Sequence, residues 1–291
     1  MSLAKTAIIG VLALLLGPLL SGCNALRLGY NNGPFLAWWW LDGYVDFNRD
    51  QAPAARQAID RFFDWHRATQ LPEYAAVLAT AAAEVLEPTT AAAVCRWQAV
   101  VLDKLEPAID RALVHAAELL PGLGEPQWRH LEQRYAKGIE EMREEYLQPD
   151  PAARLKAFVE RTQKNTEQLY GPLDEPQRRV LAAGVAASPF DPQAWLAQRQ
   201  RRQRDTLQTL RRLAAERADA DQRLAALRAL AQRGEVSSNR EYRVYQQRLA
   251  DYNCAFGAQI HNATTPAQRQ KARATIKGWE DDLRSLIGAA G

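Results

Sequence analysis

The chain is poor in sulfur, with three cysteines and two methionines in 291 residues. Cys23, Cys95 and Cys254 stand far apart. The stretches "AVCRWQ" and "YNCAFG" hold no second Cys or His at zinc spacing, which excludes a local zinc knuckle. There are four histidines, and none lies in an H-E-x-x-H pattern or beside another at i+4. A G-x-S-x-G elbow, a P-loop and a dinucleotide fingerprint are all missing. Sustained apolar–polar alternation is missing too, and no Asn-Gly turn sits between β-branched runs, which excludes a sheet-based fold. Neither sign of charge dominates: 37 Lys+Arg against 34 Asp+Glu leave a formal +3, too little for a nucleic-acid partner. From these absences we expect no catalytic residue, no metal and no cofactor.

What is present begins with "MSLAKTAIIGVLALLLGPLLSGC". Lys5 precedes an apolar run from Ala7 to Leu20, short of the roughly 20 residues that a spanning helix needs. A charged start and a short apolar core fit a secretory signal over 1–22. Leu20-Ser21-Gly22-Cys23 resembles the bacterial lipobox. That resemblance implies cleavage before Cys23, a diacylglycerol thioether on its sulfur and acylation of the new amino group. Such chemistry needs a thiolate nucleophile. The alternative is an ordinary secretory peptide with an incidental cysteine. Two or more acyl chains anchor a protein stably, so the expected membrane partner is reached through Cys23. Asn24 is not the aspartate that retains lipoproteins at the inner membrane, so the expected site is the inner leaflet of the outer membrane, facing the periplasm. In that oxidising compartment the two remaining cysteines, Cys95 and Cys254, are expected to pair; two buried free thiols are the other reading.

The rest of the chain reads as helix. Ala, Leu, Arg, Gln and Glu dominate, and Pro, Gly and Asx clusters break the sequence at helical intervals. The spacing predicts helices at 35–47, 52–69, 72–86, 90–119, 126–147, 152–169, 175–187, 192–233, 239–260 and 266–287, with Pro107 kinking or splitting the fourth. The expected fold is an all-α bundle of about ten helices with short polar loops. It comprises a tether over 23–33 and one helical domain over 34–291, with 148–152 as the place where two lobes would divide. Starts at Leu123–Gln127, Leu173–Gln177 and Thr264–Gln268 carry capping chemistry. They resemble the Leu-Thr-x-x-Gln motif of small periplasmic helical chaperones of the Spy and CpxP kind, although two lack the threonine; ordinary capping accounts for them.

Three features bear on interaction. In "LAWWWLDGYVDF", Leu36, Trp39, Trp40, Gly43, Tyr44 and Phe47 fall on one helical face. Aspartates rather than basic residues edge that face, so it is expected to pack inward, leaving Trp38 off the stripe to meet the bilayer surface. The segment from Trp195 to Arg233 is basic, with Arg201, Arg202 and Arg204 as candidate contacts for anionic lipid or acidic partners. A solvated helix face is the plainer reading. Leu196, Leu207, Leu210, Leu213, Leu224, Leu227 and Leu230 offer a seam. Glu140, Glu141, Glu144 and Glu145, or His66 with Asp64, are the residues that an enzyme reading would use.

The blocks "LRLGYNNGPFLAWWWLDGYVDF", "FFDWHRATQLPEYA", "VCRW", "RYAKGIEEMREEYLQPDPAAR", "GVAASPFDPQAWLAQRQRRQ" and "YNCAFGAQIHNATTPAQRQKA" resemble a family of proteobacterial lipoproteins catalogued as a domain of unknown function. The resemblance implies lipid attachment and an all-helical fold. It takes in both later cysteines, in keeping with a bridge, and implies no activity, substrate or catalytic residue. The function expected is that of a non-catalytic interaction or envelope-maintenance module with an unidentified envelope-protein or cell-wall partner. A chaperone-like holdase and an envelope enzyme are the alternatives.

Overall fold

The computed structural model describes residues 25–288. They form eleven α-helices and one 3-10 turn (Leu120–Gly122), with no strand among them. In chain order the first six are α1 Ala25–Asn31, α2 Gly33–Val45, α3 Ala52–Glu84, α4 Ala91–Leu119, α5 Glu125–Tyr146 and α6 Pro151–Tyr170. Then come α7 Glu175–Ala186, α8 Pro192–Ala215, α9 Ala220–Glu235, α10 Arg240–Ala263 and α11 Pro266–Gly288. The all-α expectation holds. The signal segment 1–22 and Cys23 lie outside the described residues.

Three local differences from the sequence reading have physical causes. First, α3 continues where a break near 70–71 was expected, with Pro72 inside it. An interior proline costs about 3 kcal/mol, but the helix buries side chains on both sides of it, Phe63, His66, Gln70 and Leu71 before it and Ala75 after it. Helix α4 likewise passes through Pro107 without splitting. Second, the segment expected at 192–233 is two helices. Arg217 takes a left-handed φ of 50°, and Asp219 caps α9 through a capping box with Gln222. Third, the expected tether contains α1, held by Tyr30, which is only 4% exposed.

The chain divides into two compact units, interleaved along the sequence. One comprises Met1–Gln70, Leu105–Arg143 and Gln193–Asn239; the other Leu71–Lys104, Glu144–Pro192 and Arg240–Gly291. The first unit's core gathers Ala117, Leu120, Trp128, Leu131, Leu207, Leu210, Leu213 and Leu227. The predicted leucine seam is therefore buried here, with Leu224 and Leu230 packed against it. The second unit buries Leu71, Leu173, Leu181, Ala258, Ile276, Leu283 and Leu286. It also holds the Cys95–Cys254 disulfide, which joins α4 to α10 with Cα atoms 5.4 Å apart.

Both units tie pairs of helix starts together in the same way. In the second unit, Asp174 and Gln177 form a capping box at α7, while Thr265 and Gln268 exchange equivalent bonds at α11. Gln177 Nε2 then donates to Ala263 O at 2.9 Å, and Gln268 Nε2 to Pro172 O at 2.8 Å. In the first unit Asn48–Gln51 leads into α3, and Gly124 donates to Gln127 at the start of α5. Gln51 Nε2 donates to Gly122 O at 2.5 Å, and Gln127 Nε2 to Asp46 O at 3.2 Å. In each case the accepting carbonyl lies two residues before the partner's cap. Each glutamine thus closes its own helix start and its neighbour's.

Candidate functional site

The tryptophan block forms α2, but only part of the expected inward face packs: Trp40, Tyr44 and Phe47 are half-buried. Phe35 is 65% exposed and Trp39 is 69% exposed, and Leu36 and Gly43 face solvent too. The buried side runs through Gly33 and the half-buried Ala37, Trp40 and Tyr44. The helix is therefore turned by roughly 60° from the predicted orientation, with Trp40 and Tyr44 common to the predicted and the buried side. Apart from Asp42 the helix carries only apolar residues and Gly, which left the periodicity little to choose by. The choice is made at Gly33, where any Cβ would collide with the Phe63 ring. With Leu28 of α1, which is 56% exposed, Phe35, Leu36 and Trp39 make one outward apolar stripe.

Trp38, expected to reach the bilayer surface, is half-buried instead. Arg56 lies over its ring at 3.9 Å, and Phe47 stacks on it at 5.7 Å. The outward tryptophan is its neighbour Trp39. Sequence reasoning missed the stripe because it took the aspartate edge as the deciding signal.

The basic segment is largely occupied with its own unit. Arg201 donates to Gln198 at 3.0 Å, and Arg202 to Gly234 O at 3.1 Å. Arg211 reaches Glu132, Arg212 reaches Glu216, and Arg233 reaches Asp205. Arg204 is exposed, as is Arg201 beyond its one bond. This is the arrangement of a solvated face that fastens neighbouring helices.

The residues an enzyme reading would need do not converge. His66 is buried, with its Nδ1 2.9 Å from Tyr30 Oη, while Asp64 faces solvent. Burial among Phe62, Phe63 and Trp65 pushes the His66 imidazole down to about 4. His115 meets Glu118, His130 meets Gly43 O, and His261 lies between Tyr170 and Glu87 O, in separate places. Glu140, Glu141, Glu144 and Glu145 are exposed; Glu140 pairs with Arg143, Glu141 with Lys137, and Glu145 with Arg161. Among the described residues no group of three or more His, Cys, Asp and Glu could hold a metal ion. A surface groove of about 440 Å³ along α6 is lined by Glu160, Gln163, Lys164, Glu167 and Gln168, all polar. No helix among the described residues is long and apolar enough to cross a membrane.

These features define an all-α, disulfide-bridged helical bundle with an outward aromatic stripe on its first long helix. The chain belongs to a family of unknown function (DUF6279), whose model matches residues 43–243. The match takes in Cys95 but ends before Cys254, and it begins after the stripe. No curated protein and no solved structure matches the chain.

Proposed function

We propose that the protein is a lipid-anchored lipoprotein on the periplasmic side of the outer membrane. There it acts as a non-catalytic interaction or envelope-maintenance module, with α1 and α2 lying against the lipid surface. One juxtaposition carries this reading. The stripe of Leu28, Phe35, Leu36 and Trp39 follows directly on Leu20-Ser21-Gly22-Cys23, the motif that would place acyl chains at Cys23. A large apolar side chain gains about 1.5–3 kcal/mol when fully removed from water. The stripe therefore adds to an anchor that already holds and fixes the orientation of the body next to the bilayer. The body then carries the contacts to an envelope-protein or cell-wall partner.

Two measurements test the two parts separately. Mass spectrometry of the mature N-terminal peptide should find a diacylglycerol thioether on Cys23, and Cys23→Ser should abolish both the modification and the cleavage. An unmodified Cys23 in membrane-derived protein would overturn the anchor. With lipidated protein in vesicles containing brominated lipid, tryptophan fluorescence should be quenched. Trp39→Phe should remove most of that quenching and Trp38→Phe little of it. Equal losses would detach the stripe from the bilayer while leaving the anchor standing.

The same stripe, with the glutamine-capped helix starts, favours a second reading as a chaperone-like holdase. Suppression of client aggregation at near-stoichiometric amounts, lost in Trp39→Ala, would support it.

A further inference from the structure

Helix α8 buries Leu196, Leu207, Leu210 and Leu213, and the apolar stripe is interrupted by Arg199 and Gln203, four residues apart on one face. Arg199 is only 8% exposed, and its Nε is enclosed without a hydrogen-bond partner. No carboxylate among the described residues pairs with it. Burial disfavours its charge, and the phenols of Tyr44 in α2 and Tyr135 in α5 are the groups that offset this electrostatically; their rings lie 6.4 Å apart in an edge contact. Arg134, beside Tyr135, sits over the Tyr44 ring at 5.3 Å, and its Nε is likewise enclosed and unpartnered. Neither phenol makes a hydrogen bond within the described residues. Burial pushes the Tyr135 ionisation up, so the phenol stays protonated, with an O–H to donate and an oxygen that accepts.

The cluster therefore sets two guanidinium groups, each with an enclosed Nε, against two phenols, with no carboxylate among them. A shortage of acids is not the reason, since other arginines of the same unit are paired: Arg228 with Asp110, Arg233 with Asp205, and Arg211 with Glu125 and Glu132. Guanidinium groups stay charged, and buried charges are stable only when compensated. We propose that Arg199, Arg134, Tyr44 and Tyr135 form a binding site for a dianionic phosphate group. Two guanidinium charges balance the roughly −1.5 to −2 of a phosphate monoester at neutral pH, where a monocarboxylate balances one. Arginine forks and phenol hydroxyls donate to the oxygens that such a group presents. The site lies wholly within one unit and does not depend on the lipid anchor.

Calorimetric titration of the purified protein in nonionic detergent tests this, with chloride buffers at matched ionic strength. Inorganic phosphate should bind saturably and acetate should not. Dihexanoyl phosphatidic acid, added below its micellar concentration, distinguishes a lipid headgroup from free phosphate as the source, and tighter binding of either supports the site. Arg199→Met should weaken phosphate binding about 100-fold, as loss of one partner of a buried charge pair does. The melting temperature without phosphate should stay equal or rise, because an uncompensated charge has been removed. Arg134→Gln, at a half-buried position, carries the same test should Arg199→Met fold poorly. Absence of saturable phosphate binding, or binding unchanged in both variants, would overturn the proposal.

Discussion

At His66 an ionisable ring is held where its charge is not accommodated. Tyr30, Phe62, Phe63 and Trp65 surround it, and burial lowers its pKa from 6.5 to about 4. The folded protein therefore binds fewer protons than the unfolded chain between those values. Its contribution to stability is complete above pH 6.5, declines as pH falls toward 4, and is level below that. The slope approaches about 1.4 kcal/mol per pH unit, roughly 3 kcal/mol in all. Unfolding free energies from urea titrations at pH 7.5 and 4.5 should fall by about 2–3 kcal/mol more in the wild type than in His66→Phe; an equal fall in both would refute the argument. Two adjacent tryptophans make a second contrast at this scale. Trp38→Ala removes a ring held between Arg56 and Phe47 and should cost about 1–3 kcal/mol, whereas Trp39→Ala should stay within about 0.5 kcal/mol. Denaturant titrations that reversed this order would show that α2 is turned the other way. The sequence could not reveal which tryptophan is inside. Apart from Asp42 the helix carries only apolar residues and Gly, and its rotation is set by Gly33 meeting Phe63, a residue thirty positions on.

At the scale of the element, helix starts were more legible than helix ends or continuity. The three starts at 123–127, 173–177 and 264–268 do carry caps, at Gly124, Asp174 and Thr265, each bonded to the glutamine three residues on. Two further starts, Asn48–Gln51 and Asp219–Gln222, share the pattern of a cap followed three residues later by glutamine and went unread. The leucine seam running on from Leu213 to Leu224 hid the second, because a buried face can cross a break in the backbone. The reciprocal glutamine bonds were not legible at all, since each joins residues more than seventy apart. Their energetics are testable. Gln177→Ala removes a box acceptor and leaves Ala263 O without its donor, so it should cost about 1–3 kcal/mol. With Gln268→Ala in a double-mutant cycle, the two should show a coupling of about 0.5–3 kcal/mol, since their amides touch at 2.7 Å. Strict additivity would reduce the pair to two unrelated caps.

For the whole molecule, composition and break spacing carried the all-α class. The interleaving of two units did not show, because it depends on which distant segments pack together. The disulfide is the covalent expression of one such pairing. It joins Leu71–Lys104 to Arg240–Gly291 inside the second unit, across 159 residues of chain. In the chain-entropy model a crosslink stabilises by restricting the unfolded ensemble, and a loop of this length lies near the upper end, about 5 kcal/mol. Losses on removing a natural bridge run from about 2 to 5 kcal/mol. Reduction of the folded protein, verified by alkylation of both Cys95 and Cys254, should lower the unfolding free energy within that range. The Cys95→Ala, Cys254→Ala double variant should match the reduced form. Amide hydrogen exchange should then rise around Cys95 in α4 and Cys254 in α10, the two helices that the bridge clamps. An unchanged denaturant midpoint after full reduction would mean that packing around Leu181, Ala258 and Ile276 already holds those helices, and that the bridge adds nothing to the unit's stability.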